Sequence, residues 1–430
     1  MIGRRPRSGA DGCDGVSTRP MSALPLDRPS PFARNVGVLA FCQALFFMAN
    51  TIQFSTSALV GHQLAPNPML STLPLALQFV GIMSTTMPAS LLMQRFGRRA
   101  GFQLGAVFAV ASGLLGTWAV LSGSFWLFCL AGAVYGSFGA FSNYLRFAAA
   151  DAADQSGRAD APALRPRAIA WVMAGGLVAA VLGPEIAKAT RDLLAPVTFA
   201  GCYLAVAMLG AALLLVAAWL DLPPLRLPAE AAGRVRSTME IVRDPAIVTA
   251  FLAALVGYVT MNLLMTATPL AMLDCGLAFA DTAFVIQWHV VGMFLPSFWT
   301  GRIIARFGAP RVVAAGALLN LVSIAVAFSG LELSHFTVGL FLLGLGWNFM
   351  FIGGTTLLTQ SHRPAEKAKV QGLHDLVMFT TVSISALSAG ALQQAVGWHA
   401  MNLAAVPAVL LILLLLRLRP VSPPRSLSPA

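Results

Sequence analysis

The chain has 430 residues, 57% of them hydrophobic and 10% charged, where an average soluble domain carries roughly 25% charged residues. That composition excludes an ordinary soluble domain. The net charge of +11 is spread over short loops and forms no single basic domain, which excludes a nucleic-acid partner and leaves the lipid bilayer as the surface this protein meets.

Residues 1–33 are rich in Arg, Pro, Ser and Gly and contain no apolar core of the kind a signal peptide needs. They read as a disordered cytoplasmic tail, with Met21 a second candidate start. Apolar segments long enough to cross a hydrocarbon core of about 30 Å then follow at 36–60, 70–93, 101–122, 125–148, 168–189 and 197–219. Six more lie at 246–272, 282–300, 312–331, 335–359, 372–394 and 398–416. A first six-span half over 34–219 is thus joined to a second over 246–418 by a polar, Pro-containing cytoplasmic linker at 220–245, and 419–430 forms a second cytoplasmic tail. With the amino terminus inside, 26 of the 28 lysines and arginines fall on one side, and only Lys188 and Arg191 fall on the other. Cytoplasmic loops collect Lys and Arg, so both termini are expected in the cytoplasm.

The halves are tandem copies. Arg95-Phe96-Gly97 returns as Arg306-Phe307-Gly308, each after the second span of its half. Gly81 and Gly292 lie sixteen residues before these glycines, Gln78 and His289 nineteen before, and Asn50 and Asn262 forty-seven and forty-six before. Two parallel repeats facing each other place a solute site between them, near the bilayer midplane.

Polar side chains within the spans are the candidates for that site, because hydrocarbon offers them no partners. On span 1, Phe46, Asn50, Gln53 and Ser57 share one face, and span 7 offers Asn262, Thr266 and Pro269. Span 4 aligns Tyr135, Gly139, Ser142 and Arg146, and span 10 supplies Trp347, Asn348, Phe351 and Thr355. Gln78 and His289 add matching positions on spans 2 and 8. Each of these can instead be glue between helices, where a cross-helix hydrogen bond contributes about 0.6 kcal/mol. Glu185 follows Gly-Pro in span 5, about 25 Å along that helix. It is either a coupling carboxylate or an outer-interface residue beside Lys188 and Arg191. The chamber expected from this set is aromatic, amide-rich and nearly free of charge. No Walker A, HExxH or GxSxG motif is present, and the five cysteines show no CxxC spacing. Neither catalysis, nor a cofactor, nor a metal site is expected.

In major facilitator superfamily transporters the loop after the second span typically reads G-x-x-x-D-R-x-G-R-R. Residues 90–99, SLLMQRFGRR, resemble it at Arg95, Gly97, Arg98 and Arg99, with Ser90 and Gln94 replacing the glycine and the aspartate. In the second copy Gly301, Arg306 and Gly308 match, and Ala305 again lacks the acid. The resemblance covers about residues 35–418. It implies an all-α membrane protein of twelve transmembrane helices in two six-helix pseudo-repeats, with a central cavity lined by spans 1, 4, 7 and 10. It also implies a gate, where the loop after span 2 docks on the inner end of span 11. Since Gln94 supplies no charge, Asp375 at the start of span 11 is expected to meet Arg95 or Arg98, with Asp151 holding another loop arginine.

Two further strings, LGWNFMFIGGTTLL at 345–358 and KAKVQGLHDL at 367–376, are similar to a branch of bacterial facilitators that includes riboflavin transporters. This implies a monomer in the inner membrane that moves a small neutral or weakly charged, ring-bearing solute, with riboflavin uptake as the specific case. Drug efflux is the alternative, although Gly132 stands where drug-proton antiporters carry their span 4 arginine. A membrane sensor that moves nothing is the alternative of another class.

Overall fold

A computed structural model describes residues 31–154, 156, 161–222, 236–363 and 366–418. Of the expected disordered tail 1–33, residues 31–33 instead begin the first helix; the residues before 31, the linker residues 223–235 and the residues after 418 lie outside these. Among the described residues every regular element is a helix. Nine helical stretches are long and apolar enough to cross a bilayer, but two of them, Pro68–Leu121 and Lys369–Leu418, run 54 and 50 residues. At 1.5 Å per residue each is about 75–80 Å long, more than twice the hydrocarbon thickness. Neither can be a single crossing.

A glycine divides each of them. Helix α1 (Pro31–Leu64) is span 1, and α2 (Leu73–Leu121) carries spans 2 and 3 with a break at Gly97, whose φ of +85° lies in the left-handed region. Span 4 is α3 (Phe125–Ser142) followed by α4 (Leu145–Asp154), and spans 5 and 6 are α5 (Ala161–Thr190) and α6 (Ala200–Ala217). The short α7 (Thr238–Arg243) closes the linker with a Ser237–Glu240 capping box. Span 7 is α8 (Pro245–Asp274), and span 8 is α9 (Phe279–Phe294) plus α10 (Ser297–Phe307), interrupted at Leu295-Pro296. Then come α11 (Ala309–Ser329), α12 (Leu333–Ser361) and α13 (Lys367–Leu418), which carries spans 11 and 12 with a break at Gly397, φ +74°. Dividing α2 and α13 at their glycines, counting α3–α4 and α9–α10 each as one and leaving out the short α7 gives twelve crossings among the described residues.

The repeated phrase has a backbone reason. Gly97 and Gly308 adopt nearly the same conformation, φ +85° and ψ 164° against φ +84° and ψ 147°, so each copy of Arg-Phe-Gly ends one helix and starts the next. The glycines sixteen residues earlier let backbones touch. A Cβ on Gly81 would stand 2.2 Å from the Ala133 carbonyl oxygen, and one on Gly292 would stand 2.5 Å from that of Phe341. Spans 2 and 4 of the first half and spans 8 and 10 of the second are thus joined in the same way.

Exposed tryptophans mark the two membrane boundaries. Trp118 and Trp126 stand at one end of the bundle, and Trp171, Trp219 and Trp299 towards the end that carries the basic loops. The halves meet along α2 and α13, α5 and α9, and α1 and α8. Away from the basic loops, the Thr72 hydroxyl donates to the Leu387 carbonyl at 3.2 Å and accepts from the Gly390 amide at 3.1 Å. Phe199 and Phe279 meet edge to face at 5.0 Å, with the Arg191 guanidinium over both rings. Towards the basic loops the packing differs: α9 packs on α5 and α1 of the other half, whereas α10, its continuation, packs on α9, α11 and α12 of its own. On the facing side α4 packs on α1 and α5. The molecule is therefore closed at the far end and open at the basic end.

The linker is tied to the second half by charge. Arg236 Nε donates to Glu366 Oε1 at 2.7 Å and its Nη2 to Oε2 at 2.8 Å, while Nη1 reaches Asp244 at 2.8 Å and Lys369 Nζ reaches the Arg236 carbonyl at 2.9 Å. Glu366 is 0% exposed, and the bidentate Arg236 guanidinium pulls its carboxyl down to about 2.

Candidate functional site

The site is built outward from one face of α1. Phe47, Asn50 and Phe54 are spaced i, i+3 and i+7, so they stack along a single stripe. Phe47 lies 4.7 Å from Phe294 of α9, and Phe294 lies 6.4 Å from Trp347 of α12, ring centre to ring centre. Trp347 and Phe351 are one turn apart on α12 and stack at 5.1 Å with only 9° between their planes. Tyr258 of α8 meets both edge-on, at 5.8 and 5.5 Å. Phe54 packs against the same cluster and lies 6.3 Å from Phe79 of α2. Both halves thus contribute to one aromatic cage.

The polar members of this cage are amides and an indole. Asn50 Oδ1 accepts from Gln78 Nε2 at 3.2 Å. Gln78 Oε1 and Trp347 Nε1 are buried without a hydrogen-bond partner. A buried polar atom left in that state costs roughly 1–3 kcal/mol, so a solute that bonds to it recovers free energy that protein packing alone would replace by an apolar side chain.

At the basic end the chamber carries charge, which corrects the expectation of a nearly neutral cavity. Arg146 is open to water yet hemmed in by protein, and it interacts electrostatically with Asp375 of α13 and Tyr258 of α8, both in the other half. Asp375 is 55% exposed and lies 3.1 Å from His374 Nδ1. The stripe Tyr135, Gly139, Ser142 and Arg146 assumed one continuous helix. The helix instead ends at Ser142 and restarts at Leu145, so Tyr135, Gly139 and Ser142 are buried while Arg146 faces the opening.

The remaining candidates divide by partner. Asn50, on the α1 stripe that carries Phe47 and Phe54, bonds to Gln78, Trp347 stands among the aromatic rings, and Tyr135 is fully enclosed in the first-half core, edge-on to Phe138 at 5.6 Å. Gln53 is buried against Ser57, 3.4 Å away, on the same helix. Asn262 does not face Asn50. Its Nδ2 donates to the Val382 carbonyl and the Ser385 hydroxyl of α13, both at 3.3 Å. Asn348 is a tie between helices at the α9–α10 interruption: Nδ2 donates to the Met293 carbonyl and Ser297 Oγ, and Oδ1 accepts from Thr300 Oγ1, each at 2.7 Å. His289 is buried with Nδ1 2.7 Å from the Leu340 carbonyl, and Glu185, half exposed, pairs with Lys188 at 2.5 Å. Of the gating residues, Arg98 binds Asp151 at 3.0 Å through both Nε and Nη2. Arg95 and Arg306 each lie 5.2 Å over the phenylalanine that follows them. Asp375 meets neither Arg95 nor Arg98 in this conformation, because the two halves stand apart at that end.

Tyr258, Phe294 and Phe47 were not among the candidates read from the sequence. Tyr258 precedes Asn262 by one turn on the same face of α8 and was discoverable by that spacing.

The Major Facilitator Superfamily profile matches residues 39–296 and again 250–430. The chain is similar to the riboflavin transporter RfnT of Brucella anthropi, with 40% identity over 390 residues that cover 90% of this chain and 96% of that protein. It is also similar to two uncharacterized MFS-type transporters of Bacillus subtilis, YdeG and YddS, each 26% identical, over 383 and 394 residues that cover 86% of both chains in each case.

Proposed function

Since the chain belongs to the major facilitator superfamily, and is therefore a multi-pass membrane transporter and not an enzyme, we propose that it carries riboflavin into the cell across the inner membrane. The observation that carries this reading is the aromatic cage between the halves. A flavin is a flat three-ring system whose faces are apolar and whose pyrimidine edge is rich in carbonyl and ring-nitrogen groups. Trp347, Phe351, Tyr258 and Phe294 offer ring faces and edges, and an aromatic pair contributes about 0.5–1.5 kcal/mol beyond its buried area. Asn50, Gln78 and the Trp347 indole offer hydrogen bonds to the rim. The name and 40% identity of the Brucella relative support the same solute.

The basic end is the cytoplasmic end on the distribution of charge, so this conformation is open to the cytoplasm, with both termini on that side. Uptake then needs the Thr72–Gly390 and Phe199–Phe279 contacts to part while the basic ends close. Each half moves as a body around a site that lies between them. One chain supplies both walls, and a monomer is sufficient.

The test is growth of a bacterial host lacking riboflavin synthesis and uptake on low riboflavin, scored beside accumulation of radiolabelled riboflavin. Growth and accumulation that depend on this gene are expected. A well-expressed protein that supports neither overturns the proposal. Reporters fused after residue 230 and near Leu194 should read cytoplasmic and external respectively.

A further inference from the structure

We infer that Arg146 is the specificity-determining residue of the chamber: its guanidinium binds the acceptor-rich edge of the transported ring, with Asp375 as its counter-charge in the empty carrier. This rests on the flavin reading above and names the contact that selects the solute.

Three observations carry it. The first is position. Arg146 interacts electrostatically with Tyr258, and Tyr258 is edge-on to both Trp347 and Phe351. A ring held in that cage therefore presents an edge towards Arg146. The second is availability. Two other arginines at the basic end are held in ion pairs, Arg98 by Asp151, and Arg236 by Glu366 and Asp244. Among the described residues Arg146 has no ion pair within 4 Å; its guanidinium lies 4.9 Å over the Phe147 ring beside it in the chain, and Asp375 acts on it electrostatically from the other half. The third is cost. Arginine in a membrane span is expensive, and near a helix end it normally extends to the lipid interface. Here it is exposed yet acts electrostatically on Asp375 and Tyr258 of the other half, so it stands between the halves.

The chemistry selects for a particular kind of solute. A guanidinium is a rigid planar fork of donors that satisfies two neighbouring acceptors at once. The pyrimidine edge of a flavin, with its carbonyl oxygens and adjacent ring nitrogen, offers such acceptor pairs, whereas the ribityl chain offers flexible hydroxyls that a fork does not match. Arg146 therefore reads the ring, and solutes of similar size without adjacent acceptors are rejected because they leave the guanidinium to Asp375.

The experiment uses the purified full-length protein and titrates it with riboflavin and with lumiflavin, which has the same ring and a methyl group in place of the ribityl chain. Arg146→Gln is expected to weaken both ligands by a similar factor, about tenfold to a hundredfold for a bond to a charged group. Arg146→Lys, which keeps the charge and loses the fork, should fall between Arg146→Gln and wild type. Weakening of riboflavin alone would move Arg146 to the ribityl chain and overturn the assignment, as would unchanged affinity for both ligands in a monodisperse Arg146→Gln protein. If that variant does not fold, Arg146→Lys decides: wild-type affinity for both flavins overturns the inference, and a matched loss supports it. Wild type that binds neither flavin overturns the proposed function, and this inference with it.

Discussion

Trp347→Phe separates a solute contact from a packing contact at the centre of the cage. Trp347 is 8% exposed and stacks on Phe351, and its Nε1 is buried without a partner. Phenylalanine preserves a ring that can stack on Phe351 and lie near Tyr258, and removes the indole N–H. In the empty carrier that N–H has no bond to lose. Removing a buried donor of this kind relieves a cost, so the melting temperature is expected to stay the same or to rise slightly. The loaded carrier behaves differently, because a solute hydrogen bond worth about 0.5–1.5 kcal/mol is lost, which corresponds to roughly a two- to twelvefold rise in the concentration needed for half-maximal uptake. Trp347→Ala should do more, losing the stack and leaving a void that destabilises the fold by about 3–5 kcal/mol. The measurements are initial rates of radiolabelled riboflavin uptake against concentration, and thermal unfolding of the purified protein. Wild-type concentration dependence in Trp347→Phe, or a stability loss as large as that of alanine, would refute the argument that Nε1 is directed at the solute.

The two repeat-related asparagines should part company: Asn50→Ala strips Gln78 of its partner at the cage and is expected to weaken uptake two- to tenfold, while Asn262→Ala removes bonds to α13 and lowers stability by about 0.6 kcal/mol. Equal effects on uptake in both would return Asn50 to the role of helix glue. The Glu366 carboxyl sits near 2 when folded, against an ordinary 4.5, so its contribution is present above pH 4.5 and declines as pH falls from about 4.5 towards 2. Glu366→Gln should therefore unfold more easily at neutral pH and lose that part of the acid dependence in thermal unfolding scans. Asp375 is expected to meet an arginine of the first half when the basic end closes, and its removal should favour the open state. Cysteines placed in that half of the chamber should label faster in Asp375→Asn, and the labelling of Asp375→Arg should be partly restored by Arg95→Asp or Arg98→Asp; unchanged labelling with no rescue in either swap leaves Asp375, eight residues inside α13, without a partner across the opening.

Much of the architecture could be read before any coordinates, because the membrane imposes it. Apolar length identifies the spans, and the matched glycines at 97 and 308 mark where a helix must turn, a conformation that side chains rarely adopt. Helix periodicity also singled out Asn50 and Trp347 as candidates, since it reports which residues share a face of one helix. It does not report how neighbouring helices are rotated against that face. Asn50 and Asn262 occupy equivalent places in the repeat, yet one bonds to Gln78 and the other to α13. The Tyr135 stripe failed for a different reason: the interruption at Asn143-Tyr144 changes the phase of the helix, and neither residue is a Gly or Pro that would announce a break. The pairing of Glu366 with Arg236 crosses 130 residues of sequence, and no local pattern records it.

The repeated basic phrase has one role that its two copies share and another that they do not. Both turn the chain at glycine and lay an arginine over the adjoining phenylalanine. Only the first continues with Arg98, whose side chain is 9% exposed and bound to Asp151; the matching position in the second is Ala309. Asp151 stands on α4 five residues after Arg146, so the ion pair anchors the helix that carries Arg146 to the loop between spans 2 and 3. In the second half Glu366, buried against Arg236, precedes Asp375 by nine residues and anchors the start of α13 to the linker. An exposed ion pair contributes about 0–1 kcal/mol, whereas breaking a buried one by removing a partner costs about 3–5 kcal/mol. The two charges that face each other across the chamber mouth are therefore each carried by a helix that a buried pair holds to its own half. When the halves rock, Arg146 and Asp375 must travel with them, and the distance between them follows the opening of the carrier.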